Sequence, residues 1–347
     1  MPKKRAAVIF VHGLAKKPPP ERLEQIWLEG LELDDPRPDV FKPPNPGVKL
    51  RAQGVDVLFN YYADVFYGAN YANETDSSDN ADFEAADSEA AAAALENRLQ
   101  LPGDLALPAA ISPHEAEFLA AMEREMPLST EAGPSAAAAA PAEPATLTPG
   151  QLEIAGWLPR SARNKLIKKF AMEAYYFLFN KPYTRTNADG TTTTFMVRDE
   201  LRTRLITNLN QAQAEAEKIV LVTHSMGTMV GYDVLRNVAA CPPVDLLITL
   251  GSPLGIKEVQ DELRAEGARQ VDFPAAKLNR WTNIYDPLDP ICGFDPRFDN
   301  DYLPVNGKGV VDIREDNWGN WRHTITHYLA GKQFRAALAD PLDINRP

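Results

Sequence analysis

Apolar and polar positions along the chain follow two periods, one of strands and one of helices. Ala6–Val11 is a continuous apolar run, the pattern of a strand buried on both faces of a parallel sheet. Glu21–Leu33 then places Leu23, Ile26, Trp27, Leu28 and Leu31 at helical spacing, and Val55–Tyr62 reads as a second strand. Strand, helix and strand at this separation predict a βαβ unit.

The alternation resumes near residue 198. Arg198–Glu217 reads as a helix, Lys218–Thr223 as a strand, Met226–Ala239 as a helix and Asp245–Leu250 as a strand. Leu278–Tyr285 is a further strand, Gly309–Ile313 the last one, and Thr324–Ala339 a terminal helix. Regular alternation predicts an α/β fold: a mostly parallel sheet with helices on both faces.

Between these blocks the pattern lapses. Residues 68–150 are expected to be a low-complexity, partly disordered insertion. Its stretches 72–96 and 130–150 are rich in Ala, Asp, Glu, Ser, Pro and Thr, and bury too little apolar surface to offset the entropy of ordering. Within it, Pro113–Met126 has the composition of a helix. Residues 151–197 are expected to be a helical cap or lid, because Leu166, Ile167, Phe170, Tyr175 and Phe177 interleave with Arg160, Arg163, Lys165, Lys168 and Lys169. A core helix and a transient membrane contact through 154–180 are the alternative uses of that stretch. Thr191–Thr194 beside Asp189-Gly190 reads as a turn and edge strand. Residues 1–67 and 198–347 form the expected core domain.

Composition then narrows the function classes. A 44% apolar, 24% charged chain of 347 residues can bury a sizeable core, and its net charge of −12 argues against a nucleic-acid partner, which needs a basic face. Two cysteines, Cys241 and Cys292, cannot form a disulfide framework, and no metal-ligand spacing occurs. The apolar run after Lys3-Lys4-Arg5 is too short for a signal peptide, and no stretch reaches the ~18 apolar residues of a membrane span. A cytoplasmic location is expected.

The chemistry gathers at Val222-Thr223-His224-Ser225-Met226-Gly227. An apolar strand runs into this turn and a helix leaves it, the context of a nucleophile elbow that lifts a serine hydroxyl clear of the sheet edge. Residues two before and two after such a serine must be small. Gly227 meets that demand, whereas Thr223 replaces the usual first glycine. Acyl transfer also needs donors aimed at the developing oxyanion. The N–H of Met226 is one candidate, and the N–H of Leu14, in the turn Val11-His12-Gly13-Leu14 after the first strand, is the other.

These motifs together resemble the α/β-hydrolase superfamily, and within it the lipase- and esterase-like serine hydrolases, over roughly residues 6–62 and 198–339. The resemblance implies that Thr249-Leu250-Gly251-Ser252-Pro253-Leu254-Gly255 edges the substrate pocket. It also implies a Ser-His-Asp triad in the chain order Ser, acid, His. In Tyr285-Asp286-Pro287-Leu288-Asp289-Pro290, both acids follow a strand, and the resemblance favours Asp289, leaving Asp286 to cap its Asp-Pro turn. Only His323 and His327 follow the last strand. Position 327 lies ~200° from Ile325 at ~100° per residue, so His327 is expected to point to solvent. His323 falls in the loop before Thr324, an expected N-cap, and a tyrosine follows it five positions on, as in the His segment of several lipases.

The implied function is hydrolysis of a carboxylic ester, with an acyl ester or lipid as substrate and no cofactor. Peptidase or thioesterase activity on the same residues, and an interaction or regulatory role for the fold, are the alternatives.

Overall fold

The computed structural model describes residues 3–13, 17–67, 108, 110–131, 170–187, 189–292, 295–318 and 322–344. Expectations for 68–107 and 132–169, and for Leu14, lie outside the described residues.

The chain opens with β1 (Lys4–Val11), α1 (Pro20–Glu32), β2 (Asp56–Asn60) and α2 (Ala63–Tyr67), followed by α3 (Pro113–Glu131). A hairpin of β3 (Pro182–Thr186) and β4 (Thr192–Met196) precedes α4 (Val197–Glu215) and β5 (Ala216–His224). Next come α5 (Met226–Asn237), β6 (Val244–Leu250), α6 (Lys257–Leu263), β7 (Leu278–Tyr285) and β8 (Val310–Arg314). The short helices α7 (Ile325–Ala330) and α8 (Lys332–Ala339) follow.

One sheet organises these elements, in the order β2-β1-β5-β6-β7-β8, and every pairing in it is parallel. Its side chains alternate between two apolar layers, as the period of a strand requires. Ala6, Val8 and Phe10 of β1 face Trp27 of α1, Tyr328 of α7 and Phe334 of α8. Ala7, Ile9 and Val11 face the opposite layer, with Leu201, Leu205 and Leu209 of α4 and Met229 of α5. Helices therefore cover both faces, which is why β1 is apolar throughout rather than alternating. This is the α/β class expected from the alternation of elements.

Residues 170–178 are helical, and Phe170, Tyr175, Phe177 and Leu178 are buried in the α4/α5 layer. The core reading of this stretch thus holds for its described part. The helical cap expected over 151–197 needs correction at its C-terminal end, because 182–196 forms the β3–β4 hairpin. Thr184 faces Thr194 and Tyr183 faces Phe195, cross-strand pairs of β-branched and aromatic residues that favour a ladder. Among the described residues, no helix is long and apolar enough to cross a membrane. Cys241 and Cys292 are separate, buried, free thiols.

The terminal helix also departs from expectation, since it breaks at Gly331 into α7 and α8. Glu315, just past β8, causes the break. Its Oε2 accepts from the Gln333 N–H (2.8 Å) and the Phe334 N–H (3.4 Å), capping the first turn of α8. A side chain at 331 would collide with that carboxylate. From α8, the buried Arg335 donates to the carbonyls of Gly30, Leu33, Asn45 and Leu329, gathering the ends of α1 and α7 around one guanidinium.

Burial raises the Glu315 carboxyl to about 7 against those two donors. An acid whose pKa rises on folding adds stability below its unfolded value, and loses it as pH climbs through the folded one. Wild type should therefore lose stability relative to Glu315→Gln between about pH 4.5 and about pH 7.5. Urea unfolding of both proteins across that range measures the difference. A difference that stays flat or grows with pH contradicts the assignment.

Candidate active site

Ser225 is the single residue between the last residue of β5 and the first of α5. It sits at φ 56° and ψ −129°, a conformation that costs a residue with a Cβ about 1–3 kcal/mol. Its N–H is held by the Leu250 carbonyl at 3.0 Å, tying the turn to the end of β6. Its Oγ is buried and has no hydrogen-bond partner among the described residues. Met226, as the first residue of α5, has an N–H without an acceptor inside the helix.

A turn this tight leaves no room for side chains where helix and strands meet. A Cβ on Gly227 would lie 2.8 Å from the Val11 carbonyl oxygen and collide with that of His12. Thr223, the departure from a small residue noted above, is accommodated from the helix side: a Cβ on Gly231 would meet the Thr223 methyl at 2.9 Å. The requirement for smallness has moved from the strand to a glycine one helical turn beyond Gly227. Thr223 then satisfies its hydroxyl on the Ile248 carbonyl at 3.1 Å.

The turn after β1 covers the serine directly. A Cβ on Gly13 would stand 2.6 Å from the Ser225 Cβ and 3.1 Å from its Oγ. His12 braces this turn. Its Nε2 accepts the Tyr62 N–H at 2.9 Å and its Nδ1 lies 2.6 Å from the Gly13 carbonyl, so the proton resides on Nδ1. Burial pushes its pKa down to about 3, leaving the ring neutral and stacked 4.1 Å from Tyr62.

On the other side of the serine, His323 and Asp289 form a pair. The His323 Nδ1 is 2.8 Å from Oδ2 and 3.0 Å from Oδ1 of Asp289. The carboxylate is fixed by the Ile291 N–H on Oδ1 (2.8 Å) and the Tyr328 hydroxyl on Oδ2 (2.7 Å). The pair stands at the end of β6, where a Cβ on Gly251 would lie 2.7 Å from Asp289 Oδ2 and 3.1 Å from His323 Nδ1. The His323 ring also stacks on that of His224, the chain neighbour of Ser225, at 4.5 Å.

Of the two acids that the sequence left open, the structure therefore brings Asp289 to the histidine. Asp286 instead accepts from Arg322 Nη1 (3.0 Å), the Asn317 N–H (2.7 Å) and the Leu288 N–H (2.8 Å). Burial nevertheless raises it to about 6. Its contact with Leu288 is the turn cap expected of it. The expectation that His327 is solvated is overturned: it is 1% exposed, its ring 3.9 Å from that of Trp318. The helical wheel placed it correctly opposite Ile325, but Trp318, itself wedged between Phe41 and Arg37, covers that face. Thr324 holds the N-cap position of α7 without a side-chain capping bond.

Two contributions escaped the sequence reading. Tyr328 entered only as the tyrosine five positions after His323 in the lipase-like segment, with no contact assigned to it, yet its hydroxyl carries a bond to Asp289. Its spacing five residues after His323 was the available signal. His224 was assigned only to the turn, and nothing in the sequence marked its contact with His323.

The assembly lies where β1 and β5 run side by side, the point at which strand order reverses in the sheet. Crevices outside the carboxyl ends of strands at such a switch point are where open α/β sheets bind ligands. Among the described residues, no cluster of three or more His, Cys, Asp or Glu side chains could hold a metal ion. No protein-family model matches the chain, and no curated protein matches it.

If Ser225 is strained, relieving its backbone should stabilise the fold. Ser225→Gly should raise unfolding free energy by about 1 kcal/mol or more, because glycine accepts a positive φ and the buried hydroxyl is removed with it. Urea titration measures the change, and an equal or lower stability for the variant contradicts the strain.

Proposed function

We propose that the chain is a serine hydrolase of the α/β-hydrolase fold, lipase- or esterase-like, that cleaves a carboxylic ester through Ser225, His323 and Asp289. One observation carries the reading. A strained, buried serine at a strand–helix turn shares a sheet edge with an imidazole whose Nδ1 is held by a buried carboxylate.

The roles follow from that arrangement. Asp289 holds the proton on His323 Nδ1, which puts the lone pair that acts as base on Nε2. His323 takes the hydroxyl proton as Ser225 Oγ attacks the acyl carbon, and the Met226 and Leu14 amides stabilise the oxyanion. The tetrahedral intermediate collapses to an acyl-serine. His323 returns the proton to the departing alcohol, and water, activated the same way, releases the acid. None of these steps draws on a cofactor. Tyr328 keeps one Asp289 oxygen from turning away from the imidazole. Its own hydroxyl stays protonated, because burial and the neighbouring carboxylate push its pKa well above the ordinary tyrosine value.

A fluorophosphonate probe should label wild type and leave Ser225→Ala unlabelled. Folded wild type that resists labelling and hydrolyses no p-nitrophenyl acyl ester overturns the proposal, and leaves the fold an interaction role. The two acids separate cleanly in the same assay. Asp289→Asn should lower kcat roughly 10³- to 10⁴-fold in a folded protein. Asp286→Asn, which strands the buried Arg322, should instead cost stability, on the order of 3 kcal/mol, while folded molecules keep their kcat. The reverse pattern would assign the acid to Asp286.

A further inference from the structure

We propose that His224, the residue before Ser225, is a positioning residue that fixes His323 through a hydrogen bond and a ring stack. The inference rests on the hydrolase reading above and adds a residue to it.

The geometry begins with a carbonyl. His224 Nε2 lies 2.9 Å from the main-chain oxygen of His323, and a carbonyl can only accept, so Nε2 carries the proton. His224 is therefore the neutral Nε2–H tautomer, with a bare Nδ1. That Nδ1 is buried with no hydrogen-bond partner among the described residues, and a Cβ on Gly13 would approach it to 3.3 Å. The ring itself is packed on three sides. It stacks on His323 at 4.5 Å and 29°, meets the edge of Trp27 at 6.3 Å and lies 6.1 Å from Tyr328. Burial first, then the neighbouring His323 and Lys17, hold its pKa well below the ordinary histidine value.

Two restraints thus grip opposite ends of one residue. Asp289 holds the His323 side chain at Nδ1, and His224 holds its main chain at the carbonyl. A histidine held at Nδ1 alone can pivot about that bond, carrying Nε2 off the line to the serine. Misplacement of a reacting group by about 1 Å can cost on the order of 100-fold in rate. The carbonyl bond fixes the main chain and the ring stack resists the pivot, and both come from the residue covalently joined to Ser225. Base and nucleophile are thereby referenced to a single piece of backbone. The stack adds a second function: His323 becomes cationic during reaction, and a neutral aromatic face tolerates that charge where a second imidazolium would repel it.

The test compares His224→Gln, whose amide nitrogen can reach the same carbonyl, with His224→Leu, which cannot donate. For folded variants, His224→Leu should lower kcat for p-nitrophenyl butyrate by about 100-fold with KM within about two-fold, and His224→Gln should recover most of that loss. In proton NMR, the downfield His323 Nδ1–H resonance should persist in wild type and His224→Gln and broaden in His224→Leu. If the leucine variant does not fold, His224→Asn, whose shorter amide falls short of the carbonyl, takes its place with the same expectation. A folded non-donating variant with wild-type kcat and an unbroadened resonance overturns the inference, as does a glutamine variant no better than leucine. Failure of the hydrolase reading is distinguishable. In that case wild type hydrolyses no ester and takes no fluorophosphonate, while the resonance still responds to the His224 series.

Discussion

The close approach of α5 to the ends of β1 and β5 is the constraint on which the rest of the site depends. Ser225 can stand at φ 56° only because the chain doubles back within one residue, and this brings backbone within contact of backbone. Three glycines make that contact possible: Gly13 after β1, and Gly227 and Gly231 on two successive turns of α5. Well-packed interiors answer an added methylene with strain of about 1–3 kcal/mol, so none of these positions tolerates a larger residue cheaply. The strain at Ser225 is offset by the parallel sheet around it, whose inner strands β1, β5 and β6 are largely buried on both faces.

That sheet also explains how residues far apart in sequence meet. Every strand points the same way, so the loops after β1, β5, β6 and β7 emerge on one edge. His12 and Gly13, Ser225, Gly251 and Asp289 follow those four strands in turn, and His323 reaches the same edge from the loop before α7. The break at Gly331, enforced by Glu315, keeps α7 short, and Tyr328 within it faces the sheet with its hydroxyl on Asp289. A helix continuous from 324 to 339 would have to give up the Glu315 cap.

Much of this was legible in the sequence, for identifiable reasons. Buried parallel strands are largely apolar runs, so β1 and β6 were visible as such, and β7, where Leu278, Trp281, Ile284 and Tyr285 are interrupted by Asn279, Arg280 and Asn283, still matched to the residue at Leu278–Tyr285. The hairpin strand β3 was not, because Pro182–Thr186 alternates half-buried and exposed positions with little apolar content. Ser225 could be named from its strand–turn–helix context, His323 from its loop before Thr324 together with the lipase-like resemblance, and Asp289 from that resemblance. The residues alone left Asp286 and Asp289 open and only the resemblance favoured Asp289, since what separates them physically is the arrival of Arg322 at Asp286. His327 was misjudged for a related reason. Helical periodicity reports which residues share a face, not whether a distant loop carrying Trp318 covers the other one. The glycine that accommodates Thr223 lies eight residues on, across a helix–strand contact that no local pattern reveals.

The central claim is that Ser225 is a nucleophile presented to its base and its oxyanion donors by this turn. A crystal structure of the protein after reaction with an alkyl fluorophosphonate tests it most directly. The account predicts phosphorus bonded to Ser225 Oγ, a phosphoryl oxygen within hydrogen-bond distance of the Met226 N–H, and His323 Nε2 facing the adduct with Nδ1 still on Asp289. An adduct on any other residue, or one on Ser225 whose phosphoryl oxygen points away from Met226, would contradict it.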